Sequence, residues 1–151
     1  MRKKTSARIL AVQALYQLDL RGPGFLGDLD EFLRSAASDE EVRLYAEDLV
    51  RGLHDRIAEV DAAIAGAAKN WDVSRLAAVD RAILRLGTHE LLHRADVPPK
   101  VAINEAIRLA KMFSTADSGA FVNGVLDRIM TGNLPSALSK GAASGARGTP
   151  P

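Results

Sequence analysis

Apolar residues recur every three to four positions along most of the chain, which is the period of an amphipathic helix. The pattern predicts a first helix that Thr5 or Ser6 caps and that ends at Gly22 and the proline after it. A short helix is predicted around residues 28–37. Ser38 is then placed to cap a long helix whose first turn is acidic, which suits the helix dipole. The first third of the chain is therefore predicted to be helical.

The same period continues through the rest of the chain. The long helix is predicted to break near Gly52, and Ser74 is predicted to cap the next one. Pro99 is well placed to start a further helix, and residues 118–130 carry the last apolar stripe. From Gly132 onward the periodicity stops and small residues dominate. No segment alternates as a strand does, so the pattern predicts six or seven helices and no sheet.

Composition agrees with an all-α protein and bounds its class. The chain has 151 residues, enough for one domain with its own core, and 47% of them are hydrophobic. It has no cysteine, which excludes disulfides and thiolate metal sites and fits a reducing compartment. It also has no apolar run near ~20 residues. We therefore expect a cytoplasmic protein with one helical domain over residues 1–132 and a flexible tail over 133–151.

Charge is unevenly distributed, although the formal net charge is only +1. The first 18 residues contain no acid and four cations, Arg2, Lys3, Lys4 and Arg8. We call this segment the basic arm. A basic arm on a net acidic body suggests a polyanionic partner. An ordinary solvated terminus explains the charge equally well, so charge alone leaves both interpretations open.

The stretch "HELLH", residues 89–93, matches the His-Glu-x-x-His signature of zinc metalloproteases. A catalytic zinc needs a third protein ligand, and Glu105 is the only glutamate after Glu90. His89 and His93 also share a helical stripe with small residues and Arg85, and positive charge opposes zinc binding. We therefore predict no metal and no cofactor, interpret the histidines as surface variation, and expect Glu90 to be a structural hydrogen-bond partner.

Longer segments carry a family resemblance over nearly the whole chain apart from the tail. They are "ARILAVQALYQLD", "VDRAILRL", "VPPKVAINEAIRLAK" and "FVNGVLD", in this order. Together they resemble the NusB family of bacterial transcription antitermination factors. The resemblance implies about seven helices in two perpendicular three-helix bundles. It further implies a non-enzymatic protein that binds single-stranded boxA RNA of ribosomal RNA leaders with the ribosomal protein NusE, and that acts on elongating RNA polymerase with other Nus factors to suppress termination.

The resemblance also implies which residues bind. The implied RNA surface comprises Arg2, Lys3, Lys4, Arg8, Asp117, Ser118 and Phe121, and the implied partner surface comprises Tyr16 and Asp80. Cations suit RNA phosphates, and an exposed acid such as Asp80 suits a basic ribosomal protein. Phe121 could instead be a core residue, and Asp117 could be only a helix cap. On this interpretation, Arg8→Glu weakens RNA binding and leaves the fold intact.

Two rival functions and one assembly stay open at this stage. The rivals are a zinc metallohydrolase acting through HELLH and an RNA-recognition domain related to that of ribosomal RNA cytosine methyltransferases. The latter needs a cysteine nucleophile and a second domain, and the chain has no cysteine. A homodimer is possible for a chain of this family. The basic arm also has fewer arginines than is usual in the family, and His89 stands where a tyrosine is common.

Overall fold

The structure, a computed structural model, describes residues 2–68 and 72–133. Within these residues it contains seven α-helices, two short 3₁₀ helices and no strand, which confirms the all-α prediction. The helices are α1 (Lys3–Arg21), α2 (Leu29–Ala36), α3 (Glu40–Asp55), α4 (Ile57–Ala67), α5 (Ala78–His93), α6 (Pro99–Phe113) and α7 (Ala116–Asn133). The 3₁₀ helices are Pro23–Asp28 and Val73–Arg75. None of the described helices is long and apolar enough to span a membrane.

The helices pack in two groups that share α5. Helices α1 to α3 contact one another, and α4 to α7 form the second group. Helix α5 touches α1 and α3 as well as α4, α6 and α7, and its Ile83 and Leu84 are fully buried. Asp19 of α1 accepts hydrogen bonds from Arg81 of α5 at 2.6 and 3.0 Å, which adds a polar link between the groups. Helix α5 therefore fixes how the two groups sit together.

Helix starts differ from the sequence prediction by a few residues. Helix α1 begins at Lys3, so Thr5 lies inside it and is buried. Asp39, rather than Ser38, caps α3 and accepts hydrogen bonds from two backbone N–H groups of its first turn. Ser74 lies in a 3₁₀ turn, and α5 begins only at Ala78. Where several polar residues stand together, the one with the best reach to the free N–H groups becomes the cap.

Glycine and proline positions account for the helix ends only in part. Gly22 follows α1 with a φ of 86°, a left-handed conformation that favours glycine, and Pro99 begins α6, both as predicted. Gly52 does not break the long helix; the interruption falls at Arg56. A Cβ on Gly52 would lie 3.1 Å from the Nε2 of His89, so this glycine instead permits close packing of α3 on α5.

The last helix is longer than predicted. It runs from Ala116 to Asn133, beyond the predicted 118–130. Thr115 Oγ1 accepts a hydrogen bond from the Ser118 backbone N–H at 3.1 Å, so Thr115 takes the capping role considered for Asp117. The predicted tail starts at 133, but Asn133 belongs to α7, and residues 134–151 lie outside the described part of the chain.

Candidate nucleic-acid interface

The basic arm borders a large surface cleft. This cleft, of about 890 Å³, lies between the start of α1, the turn before α6 and the outer side of α6. It is lined by Arg2, Lys3, Lys4, Thr5, Arg8, Glu41, Asp96, Val97, Pro98, Val101, Asn104, Glu105 and Arg108. We call it the arm cleft. Its lining contains five cations and three carboxylates, and four of the cations are exposed, so it suits an anion.

The first cations of the basic arm are exposed. Lys3 Nζ lies 3.1 Å from Glu41 Oε1 and 3.3 Å from Asp39 Oδ2, and its side chain is 55% exposed. Its hydrogen bond to Glu41 raises the pKa of Lys3 above the ordinary value. Lys4 Nζ lies 5.6 Å from the ring centroid of Tyr45, and Arg2 is exposed immediately before α1. All three cations are open to solvent, as an RNA surface requires.

Arg8 corrects the sequence prediction, because it lies in the core instead of on the surface. Only 3% of Arg8 is exposed. Its Nε and Nη2 donate to the two carboxylate oxygens of Glu90 at 2.9 and 2.8 Å, and its Nη1 donates to Glu105 Oε1 at 3.1 Å. A guanidinium committed to two buried carboxylates is not available to a phosphate. We therefore remove Arg8 from the proposed RNA surface.

The buried cluster of Arg8, Glu90, Glu105 and Thr5 ties three helices together beneath the arm cleft. Thr5 Oγ1 donates to Glu105 Oε1 at 2.6 Å, so α1, α5 and α6 all contribute. Burial alone would lower the pKa of Arg8, but its hydrogen bonds to Glu90 hold that pKa above the ordinary value. The structural role expected of Glu90 is confirmed by this geometry. Glu105 was missed as a partner of Arg8.

The start of α7 brings two predicted sites together. The Ser118 hydroxyl lies 2.9 Å from Ser114 Oγ and donates to Asp80 Oδ2 at 3.2 Å. Ser118 was assigned to RNA and Asp80 to the protein partner, and the structure makes them neighbours. Asp117 is exposed in the same turn. Phe121 is half-buried and packs against the core, in line with the alternative considered for it.

Tyr16 borders an apolar groove of about 590 Å³ along the second half of α1. The groove is lined by Val12, Gln13, Tyr16, Gln17, Phe32, Ser35, Ala36, Val79 and Phe113. Asp80 follows the groove residue Val79, but it is half-buried and not the exposed acid that was expected. Its Oδ1 is enclosed and has no hydrogen-bond partner among the described residues.

The HELLH stretch is not assembled as a metal site. Glu90 is bound to Arg8, and the described residues contain no group of three histidine, cysteine or acidic side chains placed to hold a metal. His89 is 2% exposed, so its interpretation as surface variation was wrong. Burial lowers the pKa of His89 to about 4. His93 lies with Nε2 2.8 Å from Glu59 Oε2, an ion-pair distance without hydrogen-bond alignment.

Fold and site together define a class: an all-helical protein with a cation-lined cleft at the start of its first helix and an apolar groove further along that helix. Comparison with known proteins agrees with this class. Residues 5–131 match the NusB family. The transcription antitermination protein NusB of Anaeromyxobacter dehalogenans is 49% identical over 134 residues, which cover 88% of this chain and 94% of the relative. The chain belongs to the NusB family.

Solved structures give the same result. A structure of T. maritima NusB superposes with a TM-score of 0.77 at 33% identity, covering 93% of this chain and 98% of that one. A crystal structure of the antitermination factors NusB and NusE in complex with dsRNA superposes with a TM-score of 0.73 at 31% identity, covering 93% and 98%. The seven-helix fold is therefore that of structurally characterised NusB proteins.

Proposed function

We propose that this chain is a transcription antitermination factor that binds boxA RNA of ribosomal RNA leaders together with the ribosomal protein NusE. In this role it joins elongating RNA polymerase and other Nus factors in the cytoplasm and suppresses termination, without a catalytic step of its own. The observation that carries the proposal is the arm cleft, in a chain whose relatives are antitermination proteins. One domain over residues 1–132 would carry the whole activity.

The RNA surface of this proposal joins the exposed cations of the basic arm to the start of α7. Arg2, Lys3 and Lys4 would contact phosphates, which makes binding strongly dependent on salt. Asp117, Ser118 and Phe121 would contact the RNA at the other end of α6. Single-stranded RNA is commonly held by such a combination of cations and stacking side chains. A solved structure similar to this chain is a complex of NusB and NusE with dsRNA, which supports an RNA surface on this fold.

The partner surface of this proposal is the groove beside Tyr16, with Asp80 at its edge. An apolar groove with an acidic residue next to it suits a partner that presents an apolar side chain and a nearby cation. Because Asp80 also accepts a hydrogen bond from Ser118, partner and RNA would meet at this point. This adjacency predicts that NusE strengthens RNA binding. A homodimer that covers either surface would compete with this assembly.

The decisive experiment measures the affinity of a labelled single-stranded boxA RNA by fluorescence anisotropy, with and without NusE, across salt concentrations. We expect salt-dependent binding by the chain alone and a clear gain when NusE is added. A scrambled RNA of equal length controls for charge. Absence of any gain from NusE would count against the antitermination role even if RNA still binds.

The groove is tested with Tyr16→Ala, which should remove the gain from NusE and leave RNA binding by the chain alone unchanged. Leu20→Ala is the matched control, because Leu20 is an exposed apolar residue of the same helix outside the groove. Equal NusE gain in both variants would exclude Tyr16 from the partner surface.

A further inference from the structure

The solvent face of α6 carries three cations and no acid. Lys100, Asn104, Arg108 and Lys111 are all exposed and follow one another at spacings of three or four residues. Residues at these spacings lie on one face of a helix. The row extends over roughly 17 Å, at 1.5 Å per residue. It begins at the arm cleft and ends beside the turn that leads into α7.

Arg108 is the best fixed of these cations. Its Nε donates to Glu105 Oε2 at 3.1 Å, while the other oxygen of Glu105 accepts from Thr5 and Arg8. The carboxylate is therefore held from the buried side, and it orients a guanidinium whose side chain is 61% exposed. The terminal nitrogens Nη1 and Nη2 of Arg108 donate to no described residue. Because Arg108 lines the arm cleft, its two terminal nitrogens are free to make the bidentate contact that a guanidinium makes with a phosphate.

Other contacts continue the row towards α7. A Cβ built on Gly119 would lie 3.9 Å from the Cγ of Lys111, so the Lys111 stem runs along the first turns of α7. Gly119 directly follows Ser118, which belongs to the proposed RNA surface. The Lys111 side chain therefore starts out along that end of the surface. The face of α6 lies between the two ends of the RNA surface that the family resemblance implies.

We propose that the RNA runs along the solvent face of α6, with Arg108 as a phosphate-binding residue that Glu105 positions and Lys111 as a further phosphate contact. The proposal rests on the proposed function, because it names the path of the same RNA between the basic arm and α7. Arg108 takes the phosphate-binding role that the family resemblance implied for Arg8. Glu105 is a positioning residue, since its carboxylate faces Arg108 and the buried cluster.

The test compares Arg108→Gln with Arg34→Gln in binding of single-stranded boxA RNA to the full chain. Arg34 is a matched control because its side chain is 65% exposed and its Nε donates to a carboxylate of its own helix, Asp30, outside the arm cleft. Loss of one phosphate contact should lower the slope of log affinity against log salt by about 0.7, which is about fivefold in affinity at 0.1 M salt. Arg34→Gln should change neither quantity.

Arg108→Lys separates charge from orientation. It keeps the charge but loses the planar group that Glu105 holds, so the salt slope should stay while affinity falls. Equal binding by Arg108→Gln and Arg34→Gln, with a wild-type chain that binds normally, would overturn the path along α6 and leave the proposed function standing. A wild-type chain that shows no salt-dependent binding would instead overturn the proposed function. Circular dichroism melting confirms that each variant is folded.

Discussion

Arg8 and Lys3 stand five residues apart in the same basic arm, and each is paired with two carboxylates. Arg8 is 3% exposed and its partners Glu90 and Glu105 are buried with it. Lys3 has a 55% exposed side chain, and its partners Asp39 and Glu41 are open to water. The two cations are similar in sequence context and in number of partners. They differ in burial: the ion pairs of Arg8 are shielded from water, and those of Lys3 are exposed to it.

This difference decides what each charge can do. In the core, Arg8 cannot exchange Glu90 for another anion without leaving two desolvated carboxylates behind. At the surface, water screens the pairs of Lys3, so a phosphate can replace a carboxylate at little cost. Arg8 therefore supports the shape of the arm cleft, while Lys3 is available to a ligand. The comparison can be tested from the buried side and from the exposed side.

The largest effect is expected for Arg8→Met. This change leaves Glu90 and Glu105 buried without their main cation, and breaking a buried pair in this way costs about 3–5 kcal/mol of unfolding free energy. Urea unfolding followed by circular dichroism measures it. A loss of this size would also contradict the expectation that Arg8→Glu leaves the fold intact. A variant as stable as the wild type would show that the buried cluster contributes nothing.

The double variant Arg8→Met/Glu90→Met is the control for this prediction. It removes both members of the closest pair, and Glu105 keeps its hydrogen bonds with Thr5 and Arg108. Replacing a buried pair with apolar side chains is often close to neutral. The double variant should therefore recover much of the stability that Arg8→Met loses, and it stays measurable if the single variant does not fold.

The next effect concerns pH and His89. Burial first, and then nearby positive charge, lower the pKa of His89 from 6.5 to about 4. The unfolded chain therefore binds a proton at this histidine at a higher pH than the folded chain. The contribution of His89 to the unfolding free energy is complete above about pH 6.5. It is lost as the pH falls towards 4, by at most about 3 kcal/mol.

Measurement of the unfolding free energy at several pH values between 7 and 4.5 tests this. Carboxylates such as Asp39, whose pKa is lowered by its hydrogen bond from Lys3, give a slope of the same sign. The informative quantity is therefore the difference between the wild type and His89→Gln in the slope of unfolding free energy against pH. His89→Gln should show a shallower loss of stability on acidification. Parallel curves for the two proteins would mean that the pKa of His89 does not differ between the folded and unfolded states.

The helices could be predicted from the sequence because each has one apolar face at regular spacing. The position of Arg8 was predictable in part, since it stands four residues before Val12 and seven before Leu15 on the buried face of α1. Glu105 similarly stands between Ala102 and Leu109 on the buried face of α6. Charges on apolar faces require partners. Which helices supply those partners depends on tertiary packing, which periodicity does not encode.

His89 was misplaced for a different reason. Its helical stripe contains small residues such as Ala82, which do not by themselves show whether the stripe is buried or exposed. In the structure Ala82 is buried, and the small residues allow α5 to pack closely against neighbouring helices. Gly52 of α3 completes the space for the imidazole. A stripe of small residues is ambiguous until the partner helix is known. The residues of α6 that line the arm cleft likewise could not be predicted from the sequence pattern, because they depend on how α6 packs against α1.

The smallest effect on stability is expected for Lys3, whose ion pairs are exposed. Lys3→Gln should leave the urea midpoint within error, because exposed ion pairs contribute little. The same change should lower the salt slope of RNA binding by about 0.7, since one phosphate contact is lost.

Glu41→Gln should act in the opposite direction and raise RNA affinity roughly twofold at low salt, because it frees Lys3 from a competing anion. Glu31→Gln, an exposed acid in the first turn of α2, is the matched control for charge. If Glu31→Gln raises affinity as much as Glu41→Gln, net charge explains the gain, and the pairing of Lys3 has no specific part in RNA binding.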